Sequence, residues 1–230
     1  MAQLIADYSC DRIALSDERG ETTWQQFNQR VNQLIHALRA AGLKAGEAFA
    51  LYSGNRREYF EAITAAAHGG WLFVPINWHL VAEEVAYILE NSDAKVFFTE
   101  AQFIQTAEQA CQTSNQLLAR ITFDDAQHGF VPYQEFINGH STQEPDSQAM
   151  GGPMFYTSGT TGKPKGVRNA SFTGTGSLDT LKMMGHGMSG MLSMPGQGRT
   201  LLAGPIYHSA QWAFSFLPLV AGNAVYMRHR

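Results

Sequence analysis

Residues Tyr156–Val167, YTSGTTGKPKGV, carry more hydroxyls, glycines and lysines than any other short run of the chain. Small residues let a backbone come close to a ligand, and glycines allow conformations that turn successive N–H groups inward. Thr157, Ser158, Thr160 and Thr161 add donors, and Lys163 and Lys165 add positive charge. Such a set suits a dense group of anionic oxygens, of which a polyphosphate is the obvious example, because charge-assisted hydrogen bonds are short and strong. A Walker loop needs G-x-x-x-x-G-K-[ST]. With Gly162–Lys163 in register, Thr157 stands in place of the first glycine and Pro164 in place of the Mg²⁺-binding hydroxyl, so that reading fails. The dinucleotide pattern G-x-G-x-x-G is also missing; GTGSLD supplies only its first half. A plain solvated turn would have to account for an ordered dozen residues.

Other reactive side chains point to less. Cys10 and Cys111 are far apart without metal-type spacing and read as reduced thiols, not as a disulfide framework. His68, His79, His128, His140 and His186 show no ligand spacing, and surface or packing roles are expected for them. Glu83–Glu84 and Asp124–Asp125 read as solvated faces, and Arg56–Arg57 as a helix surface. Met183, Met184, Met188, Met191 and Met194 leave an adaptable wall, a core and a lid all open. A net charge of -4 argues against nucleic acid or an anionic membrane as partner. The N-terminus shows no signal-peptide pattern, and no apolar run approaches the roughly 18 residues of a membrane span. A cytoplasmic protein is expected.

The elements that must hold the glycine-rich run alternate. RIALSD reads as a strand and ERGE as a turn, followed by a helix with Phe27, Val31, Leu34, Ile35 and Leu38 on one face and Gly42 as its stop. AFALYS is a strand, and Asn55 is expected to cap the helix that runs to Gly69–Gly70. LFVPIN, KVFFTE and RITF read as strands, AEEVAYILENS and FIQTAEQACQ as helices. This alternation predicts an α/β fold of βαβ units on largely parallel sheets with flanking helices. Residues 138–152 read as a linker or surface loop between a first α/β part, 1–137, and a second part, 153–230. The glycine- and methionine-rich stretch after it reads as either a broken helix or loops, before core-like sequence returns at TLLAGPIYHSAQWAFSFLPLVAGNAVYM.

YTSGTTGKPKGV resembles the phosphate-binding signature of the adenylate-forming (AMP-binding) superfamily, and the match is nearly complete. TTWQQFNQRVNQLIHALRAAGLKAGEAFALYSGNRREYFEAITAAAHGGWLFVPIN resembles the N-terminal core of that family, and GPIYHSAQWAFSFLPLVAGNAVYM a later motif with a proline and an aromatic–histidine pair. The wording VPINWHL and PIYHSA leans towards the acyl-CoA synthetase branch. Ser171 stands where many relatives carry a histidine, a loss shared by a subset whose signature continues GVR.

The resemblance implies a ligase using ATP, Mg²⁺ and CoA: a carboxylate attacks the α-phosphate of ATP, pyrophosphate leaves, and a thiol then takes the acyl group. Thr157, Ser158, Gly159, Thr160, Thr161, Gly162 and Lys163 would hold the departing phosphates, with Pro164, Lys165 and Gly166 shaping the loop. His208 falls where the family places a residue beside the reacting carboxylate; a histidine packed on an apolar helix is the alternative. Tyr207, Trp212 and Phe214 could line an acyl pocket or serve as core. Expected substrates are ATP, CoA and a fatty or other bulky apolar acid, and a homodimer is compatible. The family's adenine, ribose and Mg²⁺ segments and its small C-terminal domain have no counterpart before Arg230. The chain is therefore expected to be the N-terminal part of a longer enzyme and inactive alone. An adenylation domain serving a carrier protein, and a non-catalytic binding or dimerisation module, are the alternatives.

Overall fold

The computed structural model describes residues 8–157, 163–168 and 178–229. Strand β1 (Ile13–Asp17) turns back into β2 (Gly20–Thr23), so GETT, expected to begin in a turn, forms an antiparallel partner. Helix α1 (Trp24–Ala40) starts at Thr23, whose hydroxyl accepts from the Gln26 N–H while the Gln26 side chain accepts from the Thr23 N–H. That reciprocal cap satisfies two donors that a helix start leaves open. Phe27, Val31, Leu34, Ile35 and Leu38 are buried on one face, as their spacing predicts.

Strand β3 (Ala48–Tyr52) leads to α2 (Arg57–Gly69), which stops at Gly70 in the left-handed conformation, φ 81°. Asn55 does not cap this helix. Arg56 holds the cap position without a side-chain cap bond. The Asn55 amide instead donates to the Gly204 and Arg228 carbonyls, at 3.1 and 3.0 Å, and its Oδ1 accepts from the Ile206 N–H at 2.8 Å. Arg56 is no surface residue either: it is 1% exposed and reaches Glu58, Glu100 and Asp124 at 2.9, 3.3 and 3.4 Å. Asp124, expected to be solvated, also accepts from the Ala101 N–H and from Arg19.

The chain continues through β4 (Leu72–Pro75), α3 (Ala82–Asn91), β5 (Ala94–Thr99), α4 (Ile104–Cys111), β6 (Ala119–Thr122), β7 (Val131–Pro132) and the short α5 (Tyr133–Ile137). Residues 138–151 form no helix or strand, yet they are strapped to the fold. Asn32 and Arg39 of α1 donate to the Thr142 and Ser147 carbonyls, and the Gly151 N–H donates to the Ala67 carbonyl. Then come β8 (Gly152–Thr157), β9 (Lys165–Arg168), α6 (Leu178–Met191), β10 (Arg199–Leu202), α7 (Ser209–Val220) and β11 (Ala224–Met227). The glycine- and methionine-rich stretch is thus helical from Leu178 to Met191.

Two sheets result. The larger runs β7-β6-β5-β3-β4-β8-β9, parallel except for the antiparallel edge β8–β9. Alternate residues of its strands enter opposite cores, as the two-residue period of a strand requires. Phe49, Leu51, Phe73 and Phe98 face one side; Ala48, Ala50, Val74 and Phe97 face the other. Helices cover both faces, the arrangement that parallel sheets need. The smaller sheet, β10-β11-β1-β2, brings the two ends of the chain together, with Leu15 opposite Val225.

Candidate functional site

The two ends of YTSGTTGKPKGV pair as antiparallel strands, a hairpin of β8 and β9. Tyr156 pairs with Gly166 and Thr157 with Lys165, so β8 and β9 are the two arms that carry residues 158–164 between them. Ser158, Gly159, Thr160, Thr161 and Gly162 lie outside the described residues. A Cβ at Gly166 would meet the flexible end of the Met154 side chain and the Tyr156 ring at 3.1 Å. The hairpin stands beside β4, and Thr157 ends β8 as Pro75 ends the parallel β4. In open α/β sheets, ligands bind outside the carboxyl ends of the strands.

A cavity of about 260 Å³ opens at that edge, lined by Pro75, Asn77, Leu80, Ile88, Tyr156, Thr157, Pro164, Tyr207 and His208. It gathers Thr157, Pro164, Tyr207 and His208, which lie some fifty residues apart in the chain, into one place. The Tyr52 hydroxyl fixes the loop that follows β4 by donating to the Leu80 carbonyl at 2.8 Å. Asn55 fixes the opposite wall through the Ile206 N–H. Tyr207 meets Trp78 edge-on at 6.4 Å and leans on His208 at 4.5 Å. Burial raises the Tyr207 hydroxyl above its ordinary value, which keeps it neutral and able to donate. His208 is exposed at the start of α7, where its side chain makes no cap bond.

The remaining candidates separate. Lys163 and Lys165 are exposed, with the Lys163 ammonium 5.0 Å from the centre of the Tyr87 ring. Trp212, 6% exposed, packs on Phe73, Phe155 and Phe216 within the core and does not line the cavity. Phe214 is 45% exposed and is also outside the cavity lining. Residues that sequence reasoning missed are Tyr87, Asn77 and Tyr156. Asn77 and Leu80 sit in VPINWHL, quoted only for its family wording, and Tyr156 opens the signature itself.

No three His, Cys, Asp or Glu side chains among the described residues are grouped to hold a metal ion. The hydroxyl of Thr157 and the ammonium of Lys163 fit an anionic phosphate. No described helix is long and apolar enough to cross a membrane.

An α/β fold with a glycine-rich hairpin at the carboxyl edge of a mainly parallel sheet defines the class, and comparison names it. The chain belongs to the AMP-binding enzyme family, which matches residues 3–230. It is 32% identical over 145 residues to the fatty acid–[acyl-carrier-protein] ligase ScoC of Streptomyces coeruleorubidus, covering 63% of this chain and 27% of that protein. It is 26% identical to 3-oxocholest-4-en-26-oate–CoA ligase of Rhodococcus rhodochrous, covering 94% of this chain and 42% of that one. The inhibitor-bound N-terminal domain of FACL13 from Mycobacterium tuberculosis shares the fold, with a TM-score of 0.82 at 23% identity, over 100% of this chain and 56% of that one. The chain thus spans less than half the length of the curated relatives it matches.

Proposed function

We propose that the chain is the phosphate-holding part of an ATP-dependent carboxylate–CoA ligase acting in the cytoplasm on a fatty or other bulky apolar acid. The observation that carries this is the cavity at the carboxyl ends of β4 and β8, where the hairpin residues Thr157 and Pro164 meet Tyr207 and His208. Thr157 and Lys163, with Ser158–Gly162, hold the β- and γ-phosphates. Lys165 and Gly166 keep the hairpin arms in register. His208 stands beside the reacting carboxylate, and the apolar lining of Pro75, Leu80, Ile88 and Tyr207 receives the acyl chain. ATP supplies the leaving group. What this part contributes is position and compensating charge, which dominate in phosphoryl-type transfer. CoA and Mg²⁺ belong to the complete reaction, and no described residue is assigned to them.

A second reading, transfer of the acyl group to a carrier protein, is favoured by the similarity to ScoC. The two readings share the same phosphate and acyl sites and differ only in the acceptor.

The 230-residue chain is expected to bind Mg·ATP but to release no pyrophosphate with any acid of a panel graded in length and bulk. Lys163→Met should weaken ATP binding about tenfold, the scale of one charge-assisted hydrogen bond. Calorimetric titration of both proteins measures this. Unchanged affinity in the variant would remove Lys163 from the site, and acid-dependent pyrophosphate release would show that the chain adenylates by itself.

A further inference from the structure

One helix touches both arms of the phosphate hairpin. Helix α3 presents Tyr87 and Asn91, four residues apart and therefore on the same face. Asn91 Oδ1 accepts from the Tyr156 hydroxyl of the β8 arm at 2.7 Å. The Tyr87 hydroxyl donates to the Pro164 carbonyl, where the chain enters β9, at 3.0 Å. The Tyr87 ring also lies under the Lys163 ammonium at 5.0 Å from its centre. Tyr87 thus holds the main chain on one side of Lys163 and its charge at the other end.

The helix that carries these groups is itself firmly seated. Val85, Ile88 and Leu89 are buried in the core, and the Glu84 carboxylate accepts from the Val81 N–H at the helix start. Tyr156 is also shaped by this contact. Burial, with the neighbouring Tyr87 hydroxyl adding to it, pushes its own hydroxyl up to about 12, so it stays a donor to Asn91 at any physiological pH.

We infer that Tyr87 is a positioning residue: it sets the direction from which Lys163 meets an anionic ligand before that ligand arrives. This rests on the phosphate-holding role proposed for the hairpin. A lysine side chain is long and has many rotamers, and fixing it costs affinity when the ligand has to do the fixing. Pro164 cannot itself be tied through an N–H, because proline has none, so its carbonyl is the available handle next to Lys163. The hydroxyl and the ring of Tyr87 do separate things. The hydroxyl fixes where the lysine leaves the backbone, and the ring, through its negative face, fixes where the ammonium rests.

The test is calorimetric titration of the whole 230-residue chain with Mg·ATP, for wild type, Tyr87→Phe, Tyr87→Leu, Lys163→Met and the two double variants. Tyr87→Phe keeps the ring and loses only the bond to Pro164, and about threefold weaker binding is expected. Tyr87→Leu loses both and should bind about tenfold more weakly than wild type. In the Lys163→Met background, Tyr87→Leu should cost no more than Tyr87→Phe, because the ring then has no ammonium to hold. A merely structural tyrosine would give equal losses with and without Lys163, and that additivity would overturn the inference while leaving the phosphate site standing. Unchanged affinity in both single Tyr87 variants would overturn it in the same way. Tyr87→Phe keeps the test decisive if the leucine variant fails to fold. Absence of ATP binding by the wild-type chain would bring down the phosphate-holding reading and this inference together.

Discussion

Arg56 and Lys163 are both cations carried in a connection just beyond a strand of the same sheet, yet their surroundings are opposite. Arg56 is almost wholly buried, with Glu58, Glu100 and Asp124 as ion partners, the Phe123 carbonyl as a further acceptor and the Phe123 ring against its guanidinium at 4.8 Å. Lys163 is exposed, and its ammonium lies over the face of Tyr87. A buried charge must have all of its partners supplied by the fold, because water cannot reach it. An exposed ammonium over a ring face can still donate hydrogen bonds to a ligand. The first arrangement is how a charge holds elements together, and the second suits the phosphate-binding role proposed for Lys163.

The Arg56 cluster joins parts far apart in the chain. Glu100 follows β5, Asp124 follows β6, and the ring of His229, just past β11, lies 2.8 Å from Glu100. Next to it, Asn55 bridges Gly204, Ile206 and Arg228. The connection after β3 therefore helps tie the small sheet to the large one, beside the core that the two sheets share. Removing one member of a buried ion group leaves the other charges uncompensated, typically at about 3–5 kcal/mol. Arg56→Ala should accordingly lower the stability by about 3 kcal/mol in urea denaturation, since Glu100 keeps His229 and the Gly54 N–H. A loss below about 1 kcal/mol would mean that the cluster does not carry the junction, and the contrast with Lys163 would collapse.

A smaller effect should appear with pH. Burial alone would raise the Glu100 carboxyl, but the hydrogen bond from His229, the charges of His229 and Arg56 and the Gly54 N–H outweigh it and hold Glu100 below the usual carboxylate range. Asp124 is lowered similarly, with the Ala101 N–H, Arg56 and Arg19 overcoming its burial. A carboxyl held low in the folded state contributes stability that is complete above its unfolded value and is lost as pH falls through the folded one. The protein should therefore lose stability progressively below roughly pH 4.5. Glu100→Gln should flatten that decline in denaturation curves taken from pH 7 to pH 3. An unaltered slope would place the acid sensitivity elsewhere.

The two regions also differed in how far they could be read from sequence. The hairpin announced itself, because its chemistry is compressed into consecutive residues and its glycines and lysines have few other uses. Thr157, Pro164, Tyr207 and His208 were named beforehand, and the fold brings them to one cavity. The junction was invisible. Arg56 looks like any charged residue at a helix start, and two of its three ion partners lie 44 and 68 residues away. Asn55 fits the composition of a cap equally well, and only the arrival of Gly204–Ile206 makes another use of it. The pairing of β1 with β11 has no local signature either, since two short strands carry no record of each other. Periodicity did locate α1, because a buried face repeats within a single helix, whereas α2, buried without a break from Tyr59 to Gly69, is marked by the glycines at its end. It could not decide Trp212 or Phe214: an apolar helix such as α7 reads the same whichever way its aromatics point.

The smallest effect concerns His208 and decides between the two meanings its sequence context allowed. A histidine packed against an apolar helix would be buried and would cost stability when truncated. The structure has it exposed at the cap position before α7, without a side-chain cap bond, its ring tilted against Tyr207 and lining the cavity with Thr157. Histidine is not a preferred cap, and this one makes no cap bond that alanine would remove. His208→Ala should therefore change stability by no more than about 0.5 kcal/mol. In a longer enzyme that contains this chain, the same substitution should lower turnover with the acid substrate, because a group beside the reacting carboxylate would be gone. Thermal melts of the two 230-residue proteins and turnover of the corresponding longer pair measure the two halves separately. A large loss of stability would return His208 to the class of Arg56, a residue that holds the fold. Unchanged turnover with unchanged stability would leave the cavity without its proposed histidine and confine the site to the hairpin.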